Sequence, residues 1–268
     1  MEQRFQLSNW SLTWIENSHV KSKSISFKTP DDVTLSGYRT IKASVPGNFE
    51  LDFMREGILD DVYFGQNPVK AQRLENLHLY YFTEFNYQSK QGHDAELVFG
   101  GIDTAAEIYL DGKLLGFVEN MFHAHTFDLR DIEDGKHTIL VHILPSAIYA
   151  RQFEVPAMCF GLKYNQDGIQ LRKAGSMFGW DIMPRIVTCG IFRPVYLQYR
   201  PIESIKQAYL MTVSADKKAF GQQIHGQFLL QMVSYIFQNL FHLGIHPVAV
   251  PLLLCGAGTQ NLTVHMDQ

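Results

Sequence analysis

The sequence predicts an all-β protein, a jelly-roll or related β-sandwich followed by a smaller domain. Aromatic residues make up 13% of the 268 residues, an excess that suits the packing of sheets against one another. Short segments rich in β-branched and aromatic residues recur along the chain, and turn-forming residues bound them, as is usual for strands. Many short strands with few helices are typical of two-layered β folds.

One short helix is predicted near the start of the chain. Asn48 can cap its first turn and Gly57 can end it. Between them, Phe49, Phe53 and Met54 recur at helical spacing and would give the helix an apolar face.

Five segments have the composition of strands: 96–100, 105–110, 113–118, 137–144 and 191–199. In the second segment Ala106, Ile108 and Leu110 alternate with Glu107 and Tyr109, so the two sets would lie on opposite faces of a sheet.

The dipeptide Asp111-Gly112 follows that strand and predicts a two-residue hairpin turn. Both central positions of such a turn need positive φ, which Asp and Gly tolerate.

A domain boundary is predicted at Arg200–Pro201, which gives a first domain at 1–200 and a second at 201–268. In the second domain, 208–213 and 262–265 are predicted strands. The apolar segment 227–238 fits either a strand or a helix. The second domain is predicted to be a small Ig-like β-sandwich, truncated or divergent.

Charge and hydropathy exclude several classes of partner. The net charge is −4 and no basic stripe occurs, which argues against nucleic acid. The longest apolar run, 248–255, contains Pro251 and is too short to span a membrane. The first residues lack the apolar core of a signal peptide. The compartment therefore stays open: cytoplasmic, or periplasmic or secreted if a signal has been removed.

The three cysteines, Cys159, Cys189 and Cys255, are odd in number and far apart. This spacing predicts buried free thiols in place of a disulfide framework or a zinc site.

A set of motifs resembles the N-terminal region of β-mannosidase-type enzymes of glycoside hydrolase family 2. These motifs are 45–47 (VPG), 56–58 (EGI), 61–67 (DVYFGQN), 99–112 (FGGIDTAAEIYLDG), 120–122 (NMF), 178–181 (FGWD), 184–185 (PR) and 190–195 (GIFRPV). Their order and spacing match that region over residues 10–200. A weaker match at 256–262 resembles the end of the family's second, Ig-like domain.

The sequence also departs from the family pattern. The family usually has tryptophan where Leu79 and Met183 stand, and a tryptophan pair is missing near 253–254. These changes leave the substrate of the parent enzyme open among mannosides, galactosides and glucuronides.

The resemblance implies a galactose-binding-like jelly roll, an Ig-like domain and a catalytic (β/α)8 barrel that would follow them. Retaining cleavage would need two carboxyl groups about 5 Å apart, and in the family both belong to the barrel. The Asn-Glu dipeptide that carries the family's acid is absent from this sequence. We therefore expect no catalytic residues and no cofactor or metal in this chain, and no glycoside hydrolysis by the chain alone. The barrel and a β-mannoside or related carbohydrate are the expected partners.

The resemblance also implies that Trp180 and Asp181 belong to a loop that faces the sugar pocket. Tryptophan offers a flat apolar face to sugar C–H groups, and a carboxylate is a strong acceptor for hydroxyls. From the residues alone, a buried tryptophan beside a loop aspartate paired with Arg185 explains the same segment.

Asn120 is a third candidate for sugar binding, although a turn residue at the end of a strand is the simpler explanation. His123 and His125 could share one face of a strand, but a third ligand is not evident, so no metal site is predicted. Arg172 and Lys173 could steer an anionic substrate, but a solvated surface is the simpler explanation for two adjacent charges.

Two other functions fit the same sequence. One is a free-standing carbohydrate-binding module, and the other is a structural or assembly domain in which the Trp180 segment only packs against a neighbour. A barrel with its Asn-Glu dipeptide in the same reading frame would favour the glycosidase, and mannoside titration would separate a binding module from a scaffold.

Overall fold

The strands of the first part of the chain form two antiparallel sheets, and this confirms the all-β prediction. The computed structural model describes residues 3–154 and 166–202 and, further along, the backbone of 207–215, 220–227 and 260–265. One compact unit comprises Glu2–Lys90 and Asp94–Tyr199, and a second comprises Gln91–His93 and Arg200–Gln268.

The ten strands of the first part and its helices have the following bounds. The strands are β1 (Gln3–Gln6), β2 (Ser11–Glu16), β3 (Thr40–Lys42), β4 (Leu77–Tyr87), β5 (His93–Phe99), β6 (Ala106–Leu110), β7 (Lys113–Val118), β8 (His125–Asp128), β9 (Gly135–Ile143) and β10 (Val195–Pro201). The α-helices are α1 (Asn17–Lys23), α2 (Pro30–Leu35), α3 (Phe49–Arg55), α4 (Asn67–Ala71) and α5 (Ser146–Ala150). Single 3-10 turns occupy Gln72–Asn76, Gln166–Gln170 and Gly175–Phe178.

The larger sheet has the order β3-β2-β4-β9-β6-β7, and the smaller has β1-β10-β5-β8. Alternate residues of both sheets meet in one apolar core, to which the larger sheet contributes Leu12 and Tyr81 and the smaller contributes Phe99 and Leu197. A second cluster, with Phe27, Val33 and Tyr80, covers the outer face of the larger sheet. The larger sheet is therefore buried on both faces over part of its area.

The predicted hairpin turn is confirmed. Asp111 and Gly112 have φ values of 48° and 78°, as a turn of this kind requires. In β6, Ala106, Ile108 and Leu110 face the main core, whereas Tyr109 belongs to the outer cluster, as the alternation predicts.

The predicted helix is α3. The side chain of Asn48 accepts a hydrogen bond from the backbone N–H of Leu51, and Gly57 follows the helix with a φ of 66°. Four further helices are present in the described residues and were not predicted. They have five to seven residues each, too few to show helical periodicity, and only α2 carries a clear sequence signal, a capping box between Thr29 and Asp32.

The strand predicted at 191–199 begins four residues later than expected, at Val195. Before it, Asp103 and Gly190 form an isolated bridge in which each backbone N–H donates to the other residue's carbonyl, at 2.9 and 3.1 Å. A β-carbon at Gly190 would lie 2.6 Å from the carbonyl oxygen of Gly47 and 2.7 Å from Cα of Asn48. Glycine is therefore required here by the close approach of two backbone segments.

The second unit contributes a three-stranded antiparallel sheet of β11 (Gln207–Ala215), β12 (Phe220–Gln227) and β13 (Gln260–His265). The predicted strands at 208–213 and 262–265 lie inside β11 and β13. The segment 228–238 lies outside the described residues, and the Ig-like assignment stays a prediction.

None of the helices in the described ranges is long and apolar enough to cross a membrane. Cys189 is a buried free thiol, as predicted, and burial raises its pKa to about 11. Cys159 and Cys255 lie outside the described residues.

We expect Gly190→Ala to lower the free energy of unfolding by about 1–3 kcal/mol, because the new methyl group would overlap backbone atoms that cannot move separately. Gly175→Ala is the matched control, since a β-carbon there meets nothing within 4 Å. Urea unfolding of both variants measures the difference, and equal midpoints would contradict the packing argument.

Candidate functional site

The predicted site residues Trp180 and Asp181 lie at the tip of a long connection that we call the Trp180 loop, residues 173–190. The indole of Trp180 is 62% exposed, and Asp181, Ile182, Met183 and Pro184 are exposed beside it. Trp180 and Met183 exchange backbone hydrogen bonds of 3.0 and 3.2 Å, which close the tip into a tight turn. The loop thus displays a large aromatic ring and a carboxylate to its surroundings.

The base of the Trp180 loop is buried, in contrast to its tip. Phe178 is 0% exposed and packs in a small core with Ala150, Leu171 and Val187. Gly179, with a φ of 101°, then reverses the chain between the buried ring of Phe178 and the exposed ring of Trp180.

Arg185 holds the second half of the Trp180 loop in place. Its guanidinium donates to both carboxylate oxygens of Glu75, at 2.8 and 2.7 Å, and also contacts Asp167 at 3.4 Å. The same guanidinium lies over the ring of Phe178, 5.3 Å from its centroid. Because the Arg185–Glu75 pair is largely buried and bidentate, it is a stronger anchor than a surface ion pair.

Lys173 is the second anchor of the loop. Its side chain is 0% exposed and its ammonium donates to the carboxylate of Asp103 and to the backbone carbonyl of Thr188. One buried cation therefore ties the first residue of the loop to its end and to the segment between β5 and β6. The expectation that Lys173 is part of a solvated surface is wrong, because a carboxylate and a carbonyl replace its water.

Glu50 lies near this ion pair and is itself buried, with 4% exposure. Burial raises the pKa of its carboxyl group well above the usual range; Lys173 partly opposes the shift and Asp103 adds to it. Within the described residues its Oε2 has no hydrogen-bond partner, and neither has the hydroxyl of Tyr81, whose pKa is raised chiefly by burial. These features indicate a neutral, protonated Glu50.

Asn120, the third predicted site residue, lies at the base of the loop. It forms an isolated bridge with Arg172, and the N–H of Met121 donates to the carbonyl of Arg172 at 3.0 Å. The side-chain oxygen of Asn120 accepts from the N–H of Phe122 at 2.9 Å, which is a turn-stabilising contact. The structure thus joins the Asn120 segment to the start of the loop that carries Trp180 and Asp181.

Comparison with known families decides what this arrangement belongs to. Residues 14–193 match the family described as "Glycosyl hydrolase 2 galactose-binding domain-like". The chain belongs to this family. The match includes β4, β9 and β6 of the larger sheet, β5 of the smaller sheet and the whole Trp180 loop, so the loop is part of a glycoside hydrolase family 2 domain.

Two curated relatives are both named β-mannosidases. The chain is 30% identical over 187 residues to β-mannosidase B of Emericella nidulans, which covers 67% of this chain and 22% of the relative. It is 24% identical over 217 residues to the β-mannosidase of Mus musculus, which covers 70% of this chain and 25% of the relative. The chain thus spans about a quarter or less of the length of these relatives.

Solved structures agree on the fold. The β-D-mannosidase of Dictyoglomus thermophilum superposes with a TM-score of 0.66 at 25% identity, covering 84% of this chain and 26% of that one. The exo-chitosanase of Amycolatopsis orientalis shares only the fold, with a TM-score of 0.53 at 14% identity, covering 84% and 24% of the two chains.

Within this family 2 domain, Trp180 and Arg185 differ from the explanation of a buried tryptophan beside an aspartate paired with Arg185. Trp180 is exposed, so it is not a core tryptophan, and Arg185 is engaged by Glu75 and Asp167. His123 and His125 have ring centroids 4.6 Å apart, and His125 binds the carbonyl of Asn120 at 2.8 Å. Among the described residues, no cluster of three or more His, Cys, Asp or Glu side chains could hold a metal ion.

Sequence analysis missed both anchors of the loop. Glu75, Asp103 and Asp167 are isolated acids in unremarkable segments, and nothing in the local pattern pairs them with Arg185 or Lys173. The only available signal is that Asp103 and Arg185 lie within the motifs at 99–112 and 184–185.

We expect Lys173→Met to destabilise the chain by about 3–5 kcal/mol, because it leaves the buried carboxylate of Asp103 without a cation. Arg172→Met is the matched control: the neighbouring side chain is exposed, and its loss should cost no more than about 0.5 kcal/mol. Urea unfolding monitored by tryptophan fluorescence measures both, and a similar small effect at the two positions would contradict the role of the pair.

We expect the stability of Glu50→Gln relative to the wild type to increase with pH. A carboxyl group with a raised pKa in the fold contributes stability below its unfolded pKa and loses it as pH rises through the folded pKa. The neutral amide avoids that loss, so the two melting temperatures should be closest near pH 4 and diverge toward pH 8, with the variant higher. Glu56→Gln, at the exposed end of the same helix, controls for removal of a charge. A difference that is independent of pH would contradict a buried neutral carboxyl.

Proposed function

We propose that this chain is the non-catalytic, sugar-facing β domain of a β-mannosidase-type glycoside hydrolase, and that the Trp180 loop forms one wall of the sugar pocket. The observation that supports this role is the contrast within the loop. A tip with an exposed tryptophan and an exposed aspartate is carried on a base fixed by two ion pairs and a buried ring. A segment that only filled a core would bury the indole.

The chemistry of the tip suits a pyranoside. The exposed indole of Trp180 can pack against the apolar C–H face of a sugar ring, and the carboxylate of Asp181 can accept hydrogen bonds from its hydroxyls. Because the base is anchored through Lys173 and Arg185, the two groups are held in a fixed relation before a ligand arrives. Such preorganisation reduces the free energy lost on binding.

Asn120 has a subsidiary place in this proposal. Its side-chain oxygen is engaged by the N–H of Phe122, which supports a role in shaping the turn that carries the 60% exposed ring of Phe122. Its amide nitrogen is the group that would reach a sugar hydroxyl.

The reaction itself is assigned to another part of the enzyme. The relatives are named β-mannosidases and are about four to five times longer than the segment this chain matches. In the proposal, a catalytic barrel supplies the two carboxyl groups and packs beside the Trp180 loop. The exposed apolar side chains of Trp180, Ile182 and Met183 would be covered in that assembly.

We expect Asp181→Asn to lower kcat/KM for nitrophenyl β-mannoside by about 10- to 150-fold in an enzyme that contains both this chain and a barrel. This corresponds to about 1.5–3 kcal/mol for the loss of a charged acceptor from a sugar hydroxyl. Trp180→Ala should also reduce kcat/KM. In the 268-residue chain alone, neither substitution should alter mannoside binding, because the other half of the pocket is missing.

Asp131→Asn, an exposed acid in the turn before β9, is the control for a change of surface charge. An unchanged kcat/KM in the Asp181→Asn enzyme would overturn the assignment of the loop to the sugar pocket. Mannoside binding by the isolated chain that depends on Trp180 would instead favour a carbohydrate-binding module.

A further inference from the structure

A cleft separate from the Trp180 loop opens beside the outer face of the larger sheet. Its volume is about 680 Å³, and its walls come from α1, the first residues of β4 and the segment around α5. Asn17, Lys21, His78, Tyr149 and Arg151 are among the side chains that line it. Nothing in the proposed function of the Trp180 loop uses these residues.

Behind the cleft, four polar residues form a hydrogen-bonded row that we call the relay: Asn17 at the start of α1, and His78, His142 and Glu107, which strand register brings together. On β9, His142 lies opposite Tyr80 of β4 on one side and opposite Glu107 of β6 on the other. His78 precedes Tyr80 by two residues and therefore shares the same face of the sheet. The register of three strands thus fixes the order of the relay.

The contacts along the relay are short and continuous. Glu107 Oε2 lies 3.1 Å from Nδ1 of His142, and Nε2 of His142 lies 2.8 Å from Nδ1 of His78. Nε2 of His78 then lies 3.2 Å from Oδ1 of Asn17, at the wall of the cleft. The ring of Tyr80 stacks on His142, 4.3 Å away and nearly parallel to it, which fixes the plane of that imidazole.

The order of protons along the relay follows from the carboxylate at its end. A hydrogen bond from His142 holds the pKa of Glu107 below its usual value, so Glu107 is an ionised acceptor and Nδ1 of His142 carries a proton. In a neutral His142, Nε2 is then an acceptor, so it accepts a hydrogen bond from the Nδ1–H of His78. The remaining nitrogen of His78, Nε2, is therefore left with its lone pair directed toward the cleft.

His78 keeps that lone pair at physiological pH. The residue is 7% exposed, and burial, reinforced by His142, lowers its pKa to about 3. Two acceptors, Nε2 of His78 and Oδ1 of Asn17, then face each other at 3.2 Å with no donor between them. Either the Asn17 amide turns to present its nitrogen, or donors from the cleft serve the two acceptors.

The charge around the cleft indicates that a ligand with such donors should also carry a negative group. Lys21 and Arg151 line the cleft, and among the described residues that line it there is no carboxylate. Arg151 is partly neutralised by Asp167, which it contacts at 3.0 and 3.2 Å, so Lys21 is the main source of positive charge. Lys21 is close enough to His78 for its positive charge to contribute to the lowering of the His78 pKa.

We propose that this cleft binds a small polyhydroxylated anion, such as a sugar acid, whose adjacent hydroxyls donate to His78 Nε2 and Asn17 Oδ1, one to each, and whose negative group lies beside Lys21. Glu107 and His142 act as positioning residues, because they fix the tautomer of His78 without touching the ligand. Tyr149 and the apolar part of the α5 wall can contact the carbon skeleton of the ligand.

The test is titration of the 268-residue chain, labelled with ¹⁵N at histidine, with D-gluconate. The expected result is saturable binding that shifts the Nε2 resonance of His78. Sorbitol, which has the hydroxyls without the carboxylate, and acetate, which has the carboxylate without the hydroxyls, should each bind at least about tenfold more weakly, since each retains only part of the recognition.

Lys21→Gln should weaken gluconate binding about two- to fivefold, the size expected for one exposed charge, whereas Lys23→Gln, on the same helix but outside the cleft, should leave it unchanged. His78→Asn should abolish binding, and the lysine pair keeps the test decisive if that variant fails to fold. Equal effects at Lys21 and Lys23, equal affinity for acetate, or an unperturbed His78 resonance would each overturn the proposal. All these measurements are independent of the Trp180 loop, so they can fail or succeed without bearing on its role.

Discussion

The buried ion pair between Lys173 and Asp103 is the interaction on which the arrangement of the domain's Trp180 loop depends. An ammonium without water must find compensating partners, and here it finds a carboxylate and the carbonyl of Thr188. Those partners come from the segment between β5 and β6 and from the end of the loop. The backbone bridge of Asp103 with Gly190 reinforces the same junction. The loop can therefore be long and exposed at its tip without losing its shape.

The ion pair also constrains its neighbours. Two ionised carboxylates beside one ammonium would leave a net negative charge in the core, and burial holds Glu50 in its neutral form instead. The thiol of Cys189, in the same surroundings, is neutral for the same reason. The charges of Lys173 and Asp103 thus balance each other, and Glu50 and Cys189 add no further charge beside them.

A different kind of polar row occupies the outer face of the larger sheet. There strand register aligns the relay residues of the sheet: Glu107 lies directly opposite His142, and His78 is two residues from Tyr80, which lies opposite His142 on the other side. The loop anchors depend on long side chains that converge from distant segments, whereas the relay follows directly from how β4, β9 and β6 pair. The two polar systems are therefore built by different means, and a change in one need not disturb the other.

Prediction from the sequence succeeded where interactions within a few residues decide the structure. The Asp111-Gly112 turn, the alternation in β6 and the Asn48 cap of α3 all follow from interactions within a few residues, and all three are present. It failed at β4, the longest strand, whose first five residues are all buried. Burial on both faces removes the alternation by which a strand is recognised.

The candidate site was predictable only in part, for a similar reason. The aromatic and acidic tip of the Trp180 loop is a contiguous motif, so it can be found in the sequence. Its anchors join residues far apart in the chain, such as Glu75 with Arg185, and no periodicity or spacing encodes such a pair. The burial of Lys173 follows from the same long-range convergence.

The anchored base of the Trp180 loop has a thermodynamic consequence for any ligand that meets its tip. The backbone from Phe178 to Arg185 is already ordered by the buried ring, the guanidinium and the tight turn at Trp180. The entropy of immobilising this segment has therefore been lost during folding of the domain, and little of it remains to be lost when a ligand arrives. If the tip takes the role proposed for it, this ordered backbone favours ligands that fit the loop as it stands over those that would require it to rearrange.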